Sequence, residues 1–258
     1  MSQPETITAG LFSVRFRDDV PREVAVSHWE HQHADIMRHL PHIDEYRQRQ
    51  FSAVDHGYWP ATPGVGTTIS PEYRLDGFAE IRWPNMLGIV RTSFHSSQIL
   101  HDEQNLFRHV VGQLAPRRGR WWPDESTSQI GQHTAVMLRR RQGASRGAFA
   151  RFVHDELGPA LHEAGARDLR TYTFVPSSKV AATSPGVSHQ YAVERRIHGG
   201  VSFGLNDRGA VDSVLQHPSV AAVIEGQSEV LTGAYAYTIE RSDTVIDNVV
   251  RHDRGRHA

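Results

Sequence analysis

Two stretches of this chain repeat one spacing, which restricts it to folds that double a small module. His28-Trp29-Glu30-His31-Gln32-His33 leads through Tyr46 to Phe51, and Phe152-Val153-His154-Asp155-Glu156-Leu157 leads through Leu169 to Phe174. Trp29 and Phe51 stand 22 positions apart, as do Phe152 and Phe174, and an apolar helix face aligns between the stretches without a gap. In that alignment Glu156 takes the place of His33. An imidazole exchanged for a carboxylate on an inward helix face makes both positions candidate acid/base groups.

Alternating apolar residues predict a strand over 8–17, and the acidic stretch before Pro21 predicts a helix start. Val26, Trp29, His33, Ile36 or Met37, and Leu40 define one face of that helix, which Pro41 ends. Strands are expected over 43–51 and 77–83. Between them a Gly-, Pro- and Thr-rich loop over 53–76 has the length of a lid or binding loop. A second helix is expected over 96–114, with Ile99, Leu106, Val110 and Val111 apolar, and Gly119 to Trp122 is the candidate fourth strand. The second half reads as strand 133–141, helix 145–164, strand 168–174 and loop 176–188. Strands over 187–196 and 201–205 follow, then a helix over 207–216 and a closing strand over 234–241.

Each half thus has the order βαββαβ, the ferredoxin-like arrangement, with both helices on one face of an antiparallel sheet. The bare face must pair with another sheet. The expected fold class is α+β: two tandem ferredoxin-like modules pairing their sheets into an α/β barrel. The expected boundaries are a first module over 1–120, a linker over 121–132, a second module over 133–241 and a polar tail over 242–258.

At 258 residues the chain has room for both modules. Its net charge of −1 offers no general attraction to nucleic acid or to an anionic membrane. Basic residues are almost all arginine, Lys179 being the single lysine, and the absence of cysteine excludes disulfides and thiolate catalysis. The stretch from Met1 to Thr6 lacks signal-peptide character and no apolar run approaches membrane-spanning length, so a cytoplasmic bacterial protein is the expectation. Histidine is abundant, at 17 residues, several of them between His28 and His42.

The run from Trp29 to Phe51, with a histidine four residues after the tryptophan, then Leu40-Pro41 and an aromatic strand, resembles the EthD-like branch of the dimeric α/β-barrel superfamily. Leu100-His101-Asp102-Glu103-Gln104-Asn105-Leu106-Phe107 is similar to that branch's acidic-aromatic motif in the second helix. The resemblance covers both halves, the second more by spacing than by identity. It implies a small hydrophobic substrate held between sheet and helices, in a superfamily of cofactor-free oxygenases, cyclases, decarboxylases, isomerases and haem enzymes.

On this reading the catalytic candidates are His33, Tyr46, His95 and Glu156, with Trp29, Met37, Phe78, Trp83 and Tyr172 as substrate-binding walls. The 53–76 loop would roof a pocket beside Trp29 and His33. Glu156 is expected inward, either paired with an arginine such as Arg170 or lining a second cavity. Asp102 or Glu103 could orient a histidine, although a solvated helix face is the plainer reading. The histidine cluster lacks metal-ligand spacing, so no metal site is expected. Phosphate loops and the Gly-x-Ser-x-Gly elbow are absent. The leading expectation is a cofactor-free acid/base enzyme of lyase type (decarboxylation, dehydration or cyclisation) on a small hydrophobic carbonyl or phenolic compound, with a homodimer possible. The alternatives are a monooxygenase, a haem enzyme using His33, His154 or His189, and a non-catalytic binding protein.

Overall fold

The computed structural model describes residues 3–124, 130–176 and 183–249. Strand β1 (Glu5–Phe16) leads into α1 (Arg22–His28), a π-helical turn (Trp29–His33) and α2 (Ala34–Arg38), which run on as one rod. After β2 (Glu45–His56) and β3 (Gly77–Trp83) come α3 (Met86–Ser93), α4 (Ser97–Leu106) and β4 (Phe107–Trp122). The rest comprises β5 (Gln132–Arg140), α5 (Arg146–Arg151), a second π turn (Phe152–Leu157), α6 (Gly158–Glu163), β6 (Arg167–Thr173), β7 (Gly199–Leu205), α7 (Gly209–Leu215), α8 (Pro218–Gly226) and β8 (Leu231–Asp247).

The strands close into one antiparallel barrel in the order β1-β3-β2-β8-β5-β7-β6-β4. The first four strands are contiguous, as are the last four. One seam pairs β2 with β8 from Glu45↔Asp247 to His56↔Tyr237; the other pairs β4 with β6 from Gly119↔Tyr172 to Trp122↔Leu169. Alternation along each strand sends one set of side chains into the barrel and the other under the helices. Phe78 therefore points inward to join Leu11, Phe51, Met137 and Tyr237, whereas Ala79, Ile81 and Trp83 pack outward with Trp29, Met37 and Phe107. The second outer layer gathers Phe149, Phe152, Leu157, Leu161, Val201 and Phe203. Among the described residues no helix is long and apolar enough to cross a membrane.

Several elements differ from expectation. Residues 107–114 form a strand: Val110 and Val111 are β-branched, and the run pairs with β1 from Phe16↔Phe107 to Gly10↔Leu114. Helix α3 is an unforeseen element, started by Asn85, whose side chain accepts from the backbone of Leu87 and Gly88. The expected strand over 187–196 is irregular, with one bridge between His109 and Ser188 and a short 3₁₀ turn from Val193 to Arg195. Residues 242–247 of the expected tail continue β8 along β2. The remainder of that tail from 250, the linker residues 125–129 and the loop residues 177–182 lie outside the described residues.

The end of the barrel interior near β6 holds a buried ion cluster. Arg170, fully buried, donates to Glu45 at 2.5 Å and Glu80 at 2.6 Å, and Arg47 donates to Asp168 at 2.5 Å. Trp121 donates its indole N–H to Asp168 at 2.7 Å, and Tyr172 donates its hydroxyl to Glu80. Burial raises the Glu45 carboxyl, but Arg170 and Arg47 outweigh it and hold the group down at about 2. Asp168 takes a left-handed backbone, φ 41°, a conformation that disfavours a residue with a Cβ. The cluster ties β2 and β3 to β6 across the barrel. Arg170 is thus committed here rather than to Glu156.

Candidate functional site

The helix face read from the sequence is present: Trp29, His33 and Met37 are all buried. Steps of four residues stay on one face because the π turn at Trp29–His33 widens the helix locally. His33 is only 5% exposed, and its Nδ1 donates to Asp102 Oδ2 at 2.8 Å. Asp102 Oδ1 accepts from His28 Nε2 at 2.8 Å. Although burial raises it, the hydrogen bonds from His33 and His28 draw the Asp102 carboxyl down to about 2. Asp102 is therefore an interior group, not part of a solvated helix face. Tyr46 lies beneath the same helix: Gln48 donates to its hydroxyl at 3.2 Å and to the Trp29 carbonyl at 2.8 Å. Burial pushes the Tyr46 phenol above its ordinary range, so it stays protonated.

Other candidates fall elsewhere. Glu156 is exposed, with 47% of its side chain accessible, and its nearest counter-charge is Arg151 at 3.8 Å. The physical reason is a different helix register. β3 and β7 each open on a glycine; a methyl at Gly77 would sit 3.1 Å from the Trp29 ring, and one at Gly199 would sit 2.9 Å from the Phe149 ring. Phe149, not Phe152, thus occupies the position of Trp29, which turns Glu156 outward and brings Val153 and His154 inward. His95 is exposed in the turn between α3 and α4, whereas His33 is buried. The binding walls also divide. Trp29, Met37 and Trp83 fill the helix layer, while Phe78 and Tyr172 lie inside the barrel. Trp83 donates its indole N–H to Thr92 at 3.1 Å.

The 53–76 loop does not roof the His33 helix. It crosses to the second half, where Trp59 donates to Gln227 Oε1 at 2.8 Å and Gln227 Nε2 donates to the Pro60 carbonyl and Thr62 hydroxyl, each at 3.0 Å. Its later residues, with the 188–197 segment, frame a cavity of about 620 Å³ at the barrel mouth. Tyr73, Tyr191, Tyr235 and Tyr237 line it with Met137 and Ile197, and its charged wall comprises Arg15, Arg108, Arg139 and Arg195 with Glu72 and Glu194, beside His109. The Tyr191 hydroxyl, His109 Nε2 and Arg15 Nε are buried there without hydrogen-bond partners among the described residues. The His109 and Tyr191 rings lie 4.9 Å apart. Burial first, then Arg15, holds the His109 imidazole at about 4, so it is neutral at pH 7. Burial raises the Tyr191 phenol against the opposing pull of the nearby Ser13 hydroxyl and Arg15, and the group keeps its proton. A neutral acceptor beside a protonated donor and a guanidinium can take a proton from a weak acid and stabilise the resulting oxyanion.

A second cavity of about 350 Å³ shares the wall formed by Gln190, Tyr191 and Ile197 and is lined also by Phe149, Phe174 and several arginines. Neither cavity is lined by Trp29, His33 or Tyr46. His109 and Tyr191 escaped the sequence reading because 107–114 was read as helix. As a strand, its alternation aligns His109 with Val111 and Gln113, which also face the cavities. The imidazoles considered for haem do not fit an iron ligand. His154 bonds Thr171 and Thr173 through its two nitrogens. His189 donates Nδ1–H to the Val110 carbonyl and accepts the Ser184 amide at Nε2. His33 has its Nδ1 held by Asp102, as a ligating imidazole would, but it is 5% exposed, packs against Phe107 and lines neither cavity, so among the described residues no space for a macrocycle adjoins it.

No family model matches the chain, and no curated protein matches it. Solved structures do match along almost the whole length. A proposed monooxygenase from Fusobacterium nucleatum aligns with a TM-score of 0.57 at 8% identity, covering 94% of each chain. An anthrone oxidase-like protein aligns at 0.56 with 10% identity, covering 95% of this chain and 96% of its own. A proposed monooxygenase from Lactobacillus acidophilus aligns at 0.54 with 8% identity, covering 95% and 97%. Together with the closed eight-stranded barrel, these likenesses define the class by fold: an α+β protein with a dimeric α/β-barrel fold.

Proposed function

We propose that the protein is an oxygen-using enzyme of the monooxygenase kind, acting on a flat, weakly acidic aromatic ketone or phenol held at the barrel mouth. The observation that carries this reading is the 620 Å³ cavity in which the Tyr191 hydroxyl and His109 Nε2 are buried and unpartnered between tyrosine rings. Its size and mostly apolar lining suit a small organic ligand. The anthrone oxidase-like and monooxygenase descriptions of the matching structures suggest the reaction class. In the mechanism His109 takes a proton from the ring CH₂ that is conjugated through the aromatic rings with the substrate carbonyl, while Tyr191 and Arg15 stabilise the resulting enolate oxygen. The electron-rich enolate carbon then bonds to dioxygen as a peroxide. Loss of the second C–H proton with cleavage of the O–O bond gives the new carbonyl and water. For an anthrone the four electrons taken up by dioxygen all come from the substrate's CH₂ group, so the step balances without another reductant.

The test is oxygen uptake with anthrone as probe, comparing the parent protein with Tyr191→Phe and His109→Gln. Parent turnover that falls at least tenfold in each variant, with folding retained, supports the reading. Turnover that is equal in parent and variants would falsify it. One observation favours a second reading, acid/base lyase chemistry at His33: Asp102 pins Nδ1 and leaves Nε2 without a partner among the described residues. Anaerobic turnover of a carbonyl substrate abolished by His33→Gln would select that reading. Ligand binding without turnover under either condition would point to a binding protein.

The finer lineage is also a proposal. We read the chain as a fused duplication of one EthD-like module, supported by the equal strand orders β4-β1-β3-β2 and β8-β5-β7-β6. The module limits would be 1–122 and 132–247. Further pairing into a homodimer would use the outer face of α3, where Met86, Leu87, Val90 and the 80%-exposed Phe94 form an apolar patch. Sedimentation of the full chain against Phe94→Asp checks this: a dimer in the parent and a monomer in the variant is the expected result.

A further inference from the structure

The smaller cavity has a chemical character of its own. Arg118 on β4, Arg140 at the end of β5, Arg146 at the start of α5 and Arg196 before β7 converge on it from four separate elements. No aspartate or glutamate lines the cavity, and among the described residues none of these four arginines has an ion-pair partner. Elsewhere in the molecule arginines are commonly ion-paired: Arg17 with Asp19, Arg22 with Asp76, Arg47 with Asp168 and Arg208 with Asp55. The remaining wall mixes the apolar faces of Phe149, Phe174 and Ile197 with polar groups such as Gln113, Thr173 and His198.

We infer that this cavity is a binding site for a small organic anion that carries two or more negative charges on an apolar body. Guanidinium forks recognise carboxylate and phosphate oxygens in pairs, which favours a ligand with several oxyanion groups over a single charge. The local field agrees: His198, at the cavity wall, is held at about 4 by burial first and then by Arg140, Arg139 and Arg196. An anion there would offset the arginine part of that repulsion and shift His198 upward. Phe149 and Phe174 would cover the ligand's apolar face. The site is separate from the barrel-mouth chemistry and touches it only through the shared wall at Gln190, Tyr191 and Ile197.

Calorimetric titration tests this with benzene-1,3-dicarboxylate, benzoate and inorganic phosphate as probes, on the full chain at low ionic strength. The expected result is one dicarboxylate per chain, bound at least tenfold more tightly than benzoate, with affinity falling as salt is added. Arg146→Ala and Arg196→Ala should each weaken it fivefold or more. Both side chains are exposed, so the variants keep the fold, and Arg91→Ala on α3 serves as the unaffected control. Tighter phosphate binding with the same arginine dependence supports the site and assigns it to phosphoryl ligands. Absence of saturable binding by any probe, or binding indifferent to both substitutions, overturns it. Failure here leaves the oxygen-uptake test untouched, because neither variant alters His109.

Discussion

His109 is the residue whose environment most changes its chemistry. A solvent-exposed imidazole loses its acceptor nitrogen below about pH 6.5. Burial and Arg15 hold His109 at about 4, so its neutral form persists to lower pH. If it is the base at the barrel mouth, the acid limb of kcat/KM should fall near pH 4, and in His109→Gln that limb should vanish with the activity. An acid limb near 6.5 would assign the base elsewhere. Asp102 shows the converse effect, a carboxylate held ionised by two imidazole donors. The helix face of Trp29, His33 and Met37 was legible because apolar periodicity fixes which side chains point inward. The partnership of His33 with Asp102 was legible only as residue types, since 69 positions separate them. Glu156 was misread because equal spacing in the sequence cannot reveal a helix displaced by one turn.

Among the elements, the 53–76 loop is fixed by a single side chain. Gln227 is wholly buried and saturates Trp59, Pro60 and Thr62 with three hydrogen bonds. Gln227→Ala would leave the Trp59 indole N–H and the Pro60 carbonyl without partners, at a cost of about 1–3 kcal/mol for each buried group left unpaired. The expected outcome is a lowered unfolding midpoint in urea together with earlier proteolytic cleavage in 57–66; an unchanged midpoint would show that the clasp is dispensable. β4 carries a general lesson at this scale. Phe107-Arg108-His109-Val110-Val111 suits a helix or a strand by apolar pattern alone, and only pairing with β1 decides between them. The π turns have no sequence signature of this kind, yet they keep residues four apart on one face.

For the whole molecule, the cluster inside the barrel sets both cohesion and pH response. Arg170→Ala would strand Glu45, Glu80 and Asp168 in the interior. A loss of about 3–5 kcal/mol is expected for breaking such a buried pair, read from chemical denaturation at pH 7. The buried histidines act in another window. His109, His154 and His198 are held at about 4 and His133 at about 3, in each case by burial first. Unfolded, they bind protons near pH 6.5; folded, they resist until about 4 or below. The unfolded state therefore binds more protons in this interval, and stability falls as pH drops from 6.5 to 4. Glu45 and Asp102, held at about 2, add a second loss below about pH 4.5. Denaturation midpoints at pH 7.5, 5.5 and 4.5 should decline steadily; equal midpoints would mean that the buried imidazoles are solvated.

Local periodicity in the sequence was enough to determine the order of most strands and helices and the inward face of the first helix. These depend on residues two to four positions apart, where sterics and burial act directly on the chain. Tertiary structure alone decided where the cavities lie. The barrel mouth, the Trp59–Gln227 clasp and the pairing of Arg170 with Glu45 join residues more than 100 positions apart. Such contacts follow from how the closed barrel brings strand ends together, which depends on register and on loop paths across the seams. The same closure turned Phe78 and Tyr172 into the barrel, away from Trp29, and gathered His109, Tyr191 and Arg15 around one space.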